Sequence, residues 1–266
     1  MEAGYTFVFP AFCFTNLIAL LKRLIRILYA TWVLFIFIGF MLLLLPLILL
    51  PALLGESARP VSFFGLKVWA TVFHTLTGVR YYAQGKENLS EYSAYIYVSN
   101  HTSFLDVPAL PLFIPGQFRP LGKKELLKIP VLGWVVNTVC IIVDRSDAQS
   151  RKESIGKLKR LINRGTSILI YPEGSMNRSE IMLRPFYDGA FRIAIETQTP
   201  VLPMVVINAG NLFRPGTAYI KPGKIQVKFG EPIPTKGYKL EDTVLLKQQA
   251  HQIMEAMLQS EQEKVS

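Results

Sequence analysis

The chain has 266 residues, of which 50% are hydrophobic and 18% are charged. That length is enough for one large domain with a substantial core, and the apolar composition excludes an intrinsically disordered protein. The formal net charge of +10 favours anionic partners such as a phospholipid surface or a phosphate-bearing substrate. The two cysteines lie far apart and the three histidines lack metal-ligand spacing, so we expect neither a disulfide framework nor a metal centre.

The first strong feature is an uncharged run of twenty-five residues, Ala30–Leu54. As one helix this run would rise about 37 Å, which is enough to cross a bilayer core. Pro46 and Pro51 each remove a helical hydrogen-bond donor, so the sequence leaves open a spanning helix and a re-entrant hairpin. Because basic residues lie on both sides of the run, no charge asymmetry orients a single span. We therefore expect both ends on one side of the membrane.

Two flanking segments extend this predicted membrane contact. Leu17–Tyr29 places Lys22, Arg23 and Arg26 within an arc of about 100° on a helix that is otherwise largely aliphatic. That pattern is typical of a helix lying in the headgroup plane. Val61–Leu76 is largely apolar and would complete a helical anchor.

After residue 78 the pattern changes to short β-rich runs that alternate with amphipathic helical segments. This order predicts an α/β domain with a mixed, largely parallel sheet flanked by helices. We therefore divide the chain into an N-terminal helical membrane anchor, residues 1–78, and a domain of residues 79–266. The predicted strands are Ala94–Ser99, Cys140–Val143, Ser167–Tyr171, Val201–Ile207 and Ile225–Phe229, the last of them near an edge. The predicted helices lie between Asp147 and Gly165, at Asp188–Thr197 and at Leu240–Gln262.

The densest polar cluster in an apolar neighbourhood is the segment 100–106, Asn-His-Thr-Ser-Phe-Leu-Asp, directly after the first predicted strand. Active sites of α/β folds lie at such strand ends, and histidine exchanges protons near neutral pH. On one uninterrupted helix His101 and Asp106 would point about 140° apart, so they pair only if the chain bends between them. The alternative is that Asp106 caps a helix beginning near Pro108 and that His101 is an ordinary turn residue.

Two more polar elements follow later strands. The segment Tyr171–Arg178 predicts a shaped turn that presents Glu173 and backbone N–H groups to a cleft, or else an ordinary Pro-Gly turn. Arg145 follows the strand Cys140–Val143, with Lys124 upstream. Arginine can hold a phosphate through two hydrogen bonds, whereas a lone basic residue is usually solvated surface.

In this order, these elements resemble the four motifs of the glycerolipid acyltransferase family, most like the bacterial 1-acylglycerol-3-phosphate acyltransferases. The motif Asn-His-x-x-x-x-Asp is matched at 100–106, and an apolar strand ending in Asp-Arg is matched at 141–145. Pro-Glu-Gly-Ser at 172–175 matches the third motif, and the Val-Pro-rich strand at 200–205 matches the fourth. The resemblance covers about residues 80–235.

The resemblance implies acyl transfer from acyl-coenzyme A or acyl carrier protein to the free hydroxyl of a lysolipid, most closely 1-acylglycerol-3-phosphate, giving phosphatidic acid. It implies that His101 is the general base, that Asp106 orients it, and that no cofactor or metal is needed. The substrate-binding residues that it implies are Lys124, Arg145, Glu173, Gly174 and Ser175. It also implies an inner-membrane protein with its catalytic domain facing the cytoplasm.

Two departures from the family pattern concern the acceptor headgroup. Met176 stands where the family commonly has arginine, and Tyr187 stands where it commonly has lysine. Both changes remove a positive charge, and Arg178 or Arg184 could replace it. Otherwise the acceptor would be another lysolipid, such as a lyso-aminolipid.

Other classes of protein fit the sequence less well. A non-catalytic membrane lipid-binding protein would not need the intact polar motifs. A serine hydrolase is excluded because no Gly-x-Ser-x-Gly segment occurs. A nucleic-acid binder would explain the charge but not the apolar run, whereas membrane phospholipid as a partner explains both.

Overall fold

The computed structural model describes residues 11–89, 94–143 and 148–263. Its centre is a seven-stranded sheet with the strand order β1-β7-β6-β2-β5-β3-β4. The strands are β1 (Val79–Gln84), β2 (Ile96–Ser99), β3 (Phe118–Lys123), β4 (Ile141–Val143), β5 (Ser167–Ile170), β6 (Val201–Ile207) and β7 (Gly223–Phe229). The α-helices are α1 (Ala11–Leu53), α2 (Arg59–Leu76), α3 (Asp106–Phe113), α4 (Leu132–Val139), α5 (Ala148–Ile162), α6 (Gly189–Glu196), α7 (Ala209–Leu212) and α8 (Thr243–Gln262).

The sheet is mixed and largely parallel, with helices on both faces, as predicted. Strands β6, β2, β5, β3 and β4 are parallel neighbours in that order. β7 runs antiparallel to β6, and β1 runs parallel to β7. The start of β1 therefore lies at the same end of the sheet as the carboxyl end of the central strand β2.

All five strands predicted from the sequence are present, and β1 and β3 are additional. β3 contains Pro120 and Gly122, which are depleted in strands and argue against this assignment from sequence. The strand forms because its first half pairs with β5 and its second half with β4. The alternating strand β7 is second in the sheet, next to the edge strand β1.

Each face of the sheet is covered by its own layer of helices and its own hydrophobic cluster. On one face α1, α2 and α3 contribute buried side chains such as Ile48, Trp69 and Phe73 to one cluster. On the other face α5, α6 and α8 contribute Leu158, Phe191 and others to a second cluster. α2 is thus packed against β1 and α3, and α1 is packed against α2, so both N-terminal helices belong to the hydrophobic cluster on this face.

The N-terminal apolar segment forms a longer helix than its prolines suggest. α1 continues through Pro46 and Pro51 as far as Leu53, so neither proline ends it. The chain reverses after α1, where Gly55 adopts a φ of 100° that an L side chain rarely tolerates. The hairpin is therefore formed between α1 and α2, and not inside the apolar run. The segment Asn16–Leu53 is long and apolar enough to cross a membrane, by length and composition.

Side chains of both helices join α1 to α2. The indole N–H of Trp69 donates to the carbonyl of Phe37 at 3.0 Å. Near the end of α2, the hydroxyl of Tyr29 donates to the carbonyl of Thr77 at 2.7 Å. Residues 16–28 of α1 extend beyond this point by about 20 Å and are exposed.

Candidate active site

The polar segment predicted at the end of β2 lies at the centre of the sheet. The side-chain amide of Asn100 donates to the carbonyl of Val206 at 2.9 Å and accepts the N–H of Val206 at 2.7 Å. These two bonds continue the pairing of β2 with β6 beyond the last strand residue. The backbone at the next residue, His101, is therefore fixed at the point where the turn after β2 begins.

The turn brings the side chains of His101 and Asp106 together. Their Nδ1 and Oδ2 atoms are 2.7 Å apart, and the same Oδ2 accepts the N–H groups of Thr102 at 2.8 Å and Ser103 at 3.0 Å. α3 begins at Asp106 itself, and the carboxylate reaches back to the turn. The bend required by the spacing is thus present, and Asp106 does not serve as an ordinary helix cap.

The surroundings define the chemistry of this pair. The Asp106 side chain is 0% exposed and the His101 side chain is 18% exposed. A carboxylate oxygen that accepts two backbone N–H groups is an acceptor, so Nδ1 of the imidazole is assigned as the donor. The lone pair of Nε2 is then available to accept a proton from another group.

Tyr171 covers one face of the imidazole. Its ring stacks on His101 with centroids 4.2 Å apart and an interplanar angle of 18°. Burial, and to a smaller extent the Asp106 carboxylate, raise the pKa of Tyr171 well above its ordinary value, so the phenol stays neutral. The sequence does not reveal this contact, because it depends on β5 lying beside β2.

Glu173 lies in the turn after β5, and its side chain is 0% exposed. Its Oε1 accepts the backbone N–H of His101 at 3.2 Å, and its Oε2 accepts the backbone N–H of Arg184 at 3.1 Å. The carbonyl of His101 accepts the N–H of Asn177 at 2.6 Å. The turn after β5 therefore holds both main-chain groups of His101.

Gly174 and Ser175 complete that turn. Gly174 has a φ of 78°, and its N–H donates to the carbonyl of Tyr171 at 3.0 Å. This N–H closes the turn. Ser175 is exposed. Of the two residues, Ser175 is therefore the better placed to donate to an oxyanion.

A guanidinium group lies against the same turn. Nη2 of Arg184 donates to the carbonyl of Ser175 and lies 3.1 Å from its Oγ. Nε of Arg184 lies 3.5 Å from Oε2 of Glu173. Asp188, the residue after Tyr187, forms an ion pair with Lys247 at 2.7 Å. The structure thus places a positive charge at the turn and neutralises a negative one nearby.

The segment after β6 borders the opposite side of the catalytic turn. The hydroxyl of Ser103 donates to the carbonyl of Phe213 at 2.7 Å, and the rings of Phe104 and Phe213 are 6.4 Å apart. Phe104 is exposed. Sequence reasoning did not identify Phe213, because no local pattern links it to the first motif.

Of the two basic residues predicted to bind substrate, the structure describes Lys124 but not Arg145. Lys124 is exposed and follows the carboxyl end of β3, which lies at the same end of the sheet as His101. Arg145 lies outside the described residues, as does the predicted helix cap Asp147. Within the described part of the chain, no group of three His, Cys, Asp or Glu side chains is arranged to hold a metal ion.

The chain is similar to several known acyltransferases. The acyltransferase family profile matches residues 80–207. The chloroplastic 1-acyl-sn-glycerol-3-phosphate acyltransferase of Brassica napus is 30% identical over 68% of this chain and 53% of its own length. The human 1-acyl-sn-glycerol-3-phosphate acyltransferase alpha is 30% identical over 64% of this chain and 61% of its own length. An uncharacterized acyltransferase of Schizosaccharomyces pombe is 28% identical over 71% of this chain and 67% of its own length.

The chain thus spans about half to two thirds of the length of these relatives. A solved structure also has the same fold, the 1-acyl-sn-glycerophosphate acyltransferase PlsC of Thermotoga maritima. The similarity has a TM-score of 0.74 at 23% identity and covers 90% of this chain and 98% of the other. Together, the profile, the relatives and the four ordered motifs show that this chain is similar to proteins of the acyltransferase family.

Proposed function

We propose that this protein transfers a fatty acyl group from an acyl thioester to the free hydroxyl of 1-acylglycerol-3-phosphate, giving phosphatidic acid. The observation that carries the proposal is the His101–Asp106 pair, with a fully buried carboxylate and a partly exposed imidazole. The names of the Brassica and human relatives support this acceptor. The thioester donor is acyl-coenzyme A or acyl carrier protein.

The pair supplies general base catalysis. Nε2 of His101 takes the proton of the acceptor hydroxyl as its oxygen forms a bond to the thioester carbonyl carbon. Asp106 stabilises the imidazolium that results. When the tetrahedral intermediate collapses, the carbon–sulfur bond breaks and the imidazolium returns its proton to the leaving thiolate. The oxygen ester and the free thiol are the products, and no acyl-enzyme forms.

The oxyanion of the intermediate needs hydrogen-bond donors near His101. We assign this role to the turn that carries Ser175, since the N–H of Gly174 is directed to the carbonyl of Tyr171. A donor of this kind is worth about two to three orders of magnitude in rate.

The acceptor phosphate is assigned to Arg184 and Lys124, which lie at the end of the sheet that carries His101, and to Arg145, which lies outside the described residues. Arg184 carries a guanidinium on the turn after β5, where Met176 lacks a charge. Lys124, exposed after β3, and Arg145, after β4, complete the proposed set. A lyso-aminolipid acceptor is the alternative that an acceptor panel would reveal.

The hairpin of α1 and α2 is the proposed membrane contact of this protein. α2 shares its buried side chains with the sheet, so the hairpin cannot separate from the domain and cross the bilayer alone. We propose that α1 and α2 lie along one leaflet, with both ends on the cytoplasmic side. Residues 1–78 would then form the anchor and residues 79–266 the catalytic domain.

The exposed extension of α1 strengthens this arrangement. Residues 16–28 project past the end of α2, which is also the end of the sheet that carries His101. Their apolar side chains and the cations Lys22, Arg23 and Arg26 suit contact with acyl chains and anionic headgroups. The active site would therefore face the membrane surface.

A direct assay tests the proposed activity. The purified protein in detergent receives radiolabelled acyl donor and a panel of lysolipids. We expect His101→Ala to lower kcat/KM by at least about 100-fold, because a general base contributes about 10²–10⁴-fold. His251→Ala, on α8 and away from the site, is the matched control and should retain activity. Wild-type activity in His101→Ala would exclude His101 as the base, and turnover only with phosphate-free acceptors would exclude the proposed acceptor.

A further inference from the structure

The buried carboxylate of Glu173 lies beside the proposed base without facing the solvent. Its side chain is 0% exposed. One oxygen accepts the N–H of His101, and the other accepts the N–H of Arg184 and lies 3.5 Å from its Nε. Both oxygens are therefore occupied by protein donors.

These contacts conflict with a substrate-binding role. A carboxylate without exposed surface cannot reach a substrate hydroxyl unless the turn opens. Its negative charge would also repel an acceptor phosphate. The Pro-Glu-Gly motif by itself led to the substrate-binding assignment, because sequence shows the carboxylate but not the direction in which it points.

The contacts instead hold the main chain of the base. The N–H of His101 is held by Glu173, and its carbonyl is held by the N–H of Asn177 at 2.6 Å. The Asp106 carboxylate is held by two N–H groups of the same turn. With the backbone and Nδ1 both fixed, the direction of Nε2 is fixed as well.

The Glu173 carboxylate also holds Arg184, which contacts the turn at Ser175. It holds Arg184 through both the backbone N–H and the guanidinium. Nη2 of Arg184 in turn contacts Ser175, the proposed oxyanion turn. One buried acidic side chain thus couples the base to the turn across from it.

We propose that Glu173 is a positioning residue, whose buried carboxylate aligns His101 with the turn at Ser175 and does not touch substrate. This inference rests on the proposed acyl transfer. Misplacement of a reacting group by about 1 Å can cost on the order of 100-fold in rate, so loss of the alignment should appear in kcat.

The test is Glu173→Gln, measured by kcat and by KM for both acceptor and donor. The amide keeps the size of the side chain, but its NH₂ group faces a backbone N–H or the Arg184 guanidinium, so one contact is lost. We expect kcat to fall by about 10–100-fold while both KM values stay within about threefold. The matched control is Glu180→Gln on the same loop, where the carboxylate is 88% exposed, and it should behave as wild type.

The outcomes separate positioning from binding. A rise in the acceptor or donor KM of about tenfold with kcat retained would show that Glu173 binds substrate. Wild-type kcat in Glu173→Gln would show that the carboxylate is dispensable. Either result overturns the inference. If Glu173→Gln does not fold, Glu173→Asp keeps the charge with a shorter reach and should lower kcat alone.

Failure of the proposed activity would look different. In that case the wild-type protein would transfer no acyl group, or His101→Ala would transfer it as well as wild type. The positioning role of Glu173 is tested by the ratio of kcat in Glu173→Gln to kcat in wild type. This ratio is measured once His101→Ala has been shown to abolish the wild-type activity.

Discussion

The two helical layers on the sheet have similar inner surfaces and opposite outer surfaces. The inner sides of α1 and α2 bury residues such as Trp69, as the inner side of α6 buries Phe191. Outward, α1 exposes Phe35 and Leu43, whereas the other layer exposes mostly polar and charged side chains. Those side chains include Lys157, Arg160, Arg192, Gln248 and Gln252.

This difference shows that the outer surface of a helix, and not its inner surface, indicates whether the helix lies against water or lipid. The inner surface of a helix must be apolar whether the other side meets water or lipid, so it does not distinguish the two. The outer surface of α1 is apolar along the segment Asn16–Leu53, which is long and apolar enough to cross a membrane, so it suits lipid better than water. The layer of α1 and α2 is therefore the side of the molecule that we propose for membrane contact.

The largest expected effect comes from placing charges on that outer surface. Phe35 and Leu43 are 62% and 69% exposed, and an aspartate in hydrocarbon costs up to about 3 kcal/mol. We expect the double variant Phe35→Asp, Leu43→Asp to lose at least about 100-fold in vesicle affinity, measured by flotation.

The control for that experiment lies on the opposite layer. Val244 and Leu245 on α8 are 51% and 56% exposed. Val244→Asp with Leu245→Asp adds the same two charges and should leave vesicle binding unchanged. Equal losses in the two double variants would contradict the assignment of the α1 side to the membrane.

A smaller effect tests whether the inner surfaces are alike. Trp69 and Phe191 are 1% and 0% exposed, and truncation of a buried aromatic side chain typically costs about 3–5 kcal/mol. We expect Trp69→Ala and Phe191→Ala to lower the free energy of unfolding by similar amounts, measured with denaturant in detergent. The exposed Trp134 serves as the control, and Trp134→Ala should cost less than about 1 kcal/mol. A small cost at Trp69 alone would mean that the hairpin is not part of the core.

The smallest expected effect concerns alkaline pH. Burial raises the pKa values of Tyr81, Tyr97 and Tyr171, and all three pack in the cluster on the α1 side. In the unfolded chain a tyrosine loses its proton near pH 10, while the folded protein retains it. The folded state then binds more protons, so its stability falls as pH rises above 10.

Tyr171→Phe removes one of these protons. We expect the stability of this variant to fall less steeply between pH 10 and pH 11, by up to about 1.4 kcal/mol per pH unit, in pH-dependent denaturant titrations. Tyr187→Phe, at an exposed ring, should leave the slope unchanged. A slope equal to that of wild type in Tyr171→Phe would show that this phenol is not protected in the folded protein.

Much of the fold was predictable because it depends on local chain geometry. Continuous apolar runs such as Val201–Ile207 predict buried strands, and that strand has the predicted bounds. The pairing of His101 with Asp106 required only one bend at a strand end. β3 was not predictable, because Pro120 disfavours a strand until two neighbouring strands supply the pairing.

The sequence by itself determined the long apolar segment, most of the strands and the residues available for catalysis, because these follow from the types and spacing of residues close together in the chain. Only the tertiary structure decided that α1 continues through its prolines, that Tyr171 stacks on His101 and that Glu173 points inward to a backbone N–H. Those features depend on which strands are neighbours. The strand order of the sheet brings together residues about 70 positions apart in the chain. The periodicity of apolar residues along the sequence does not indicate this order.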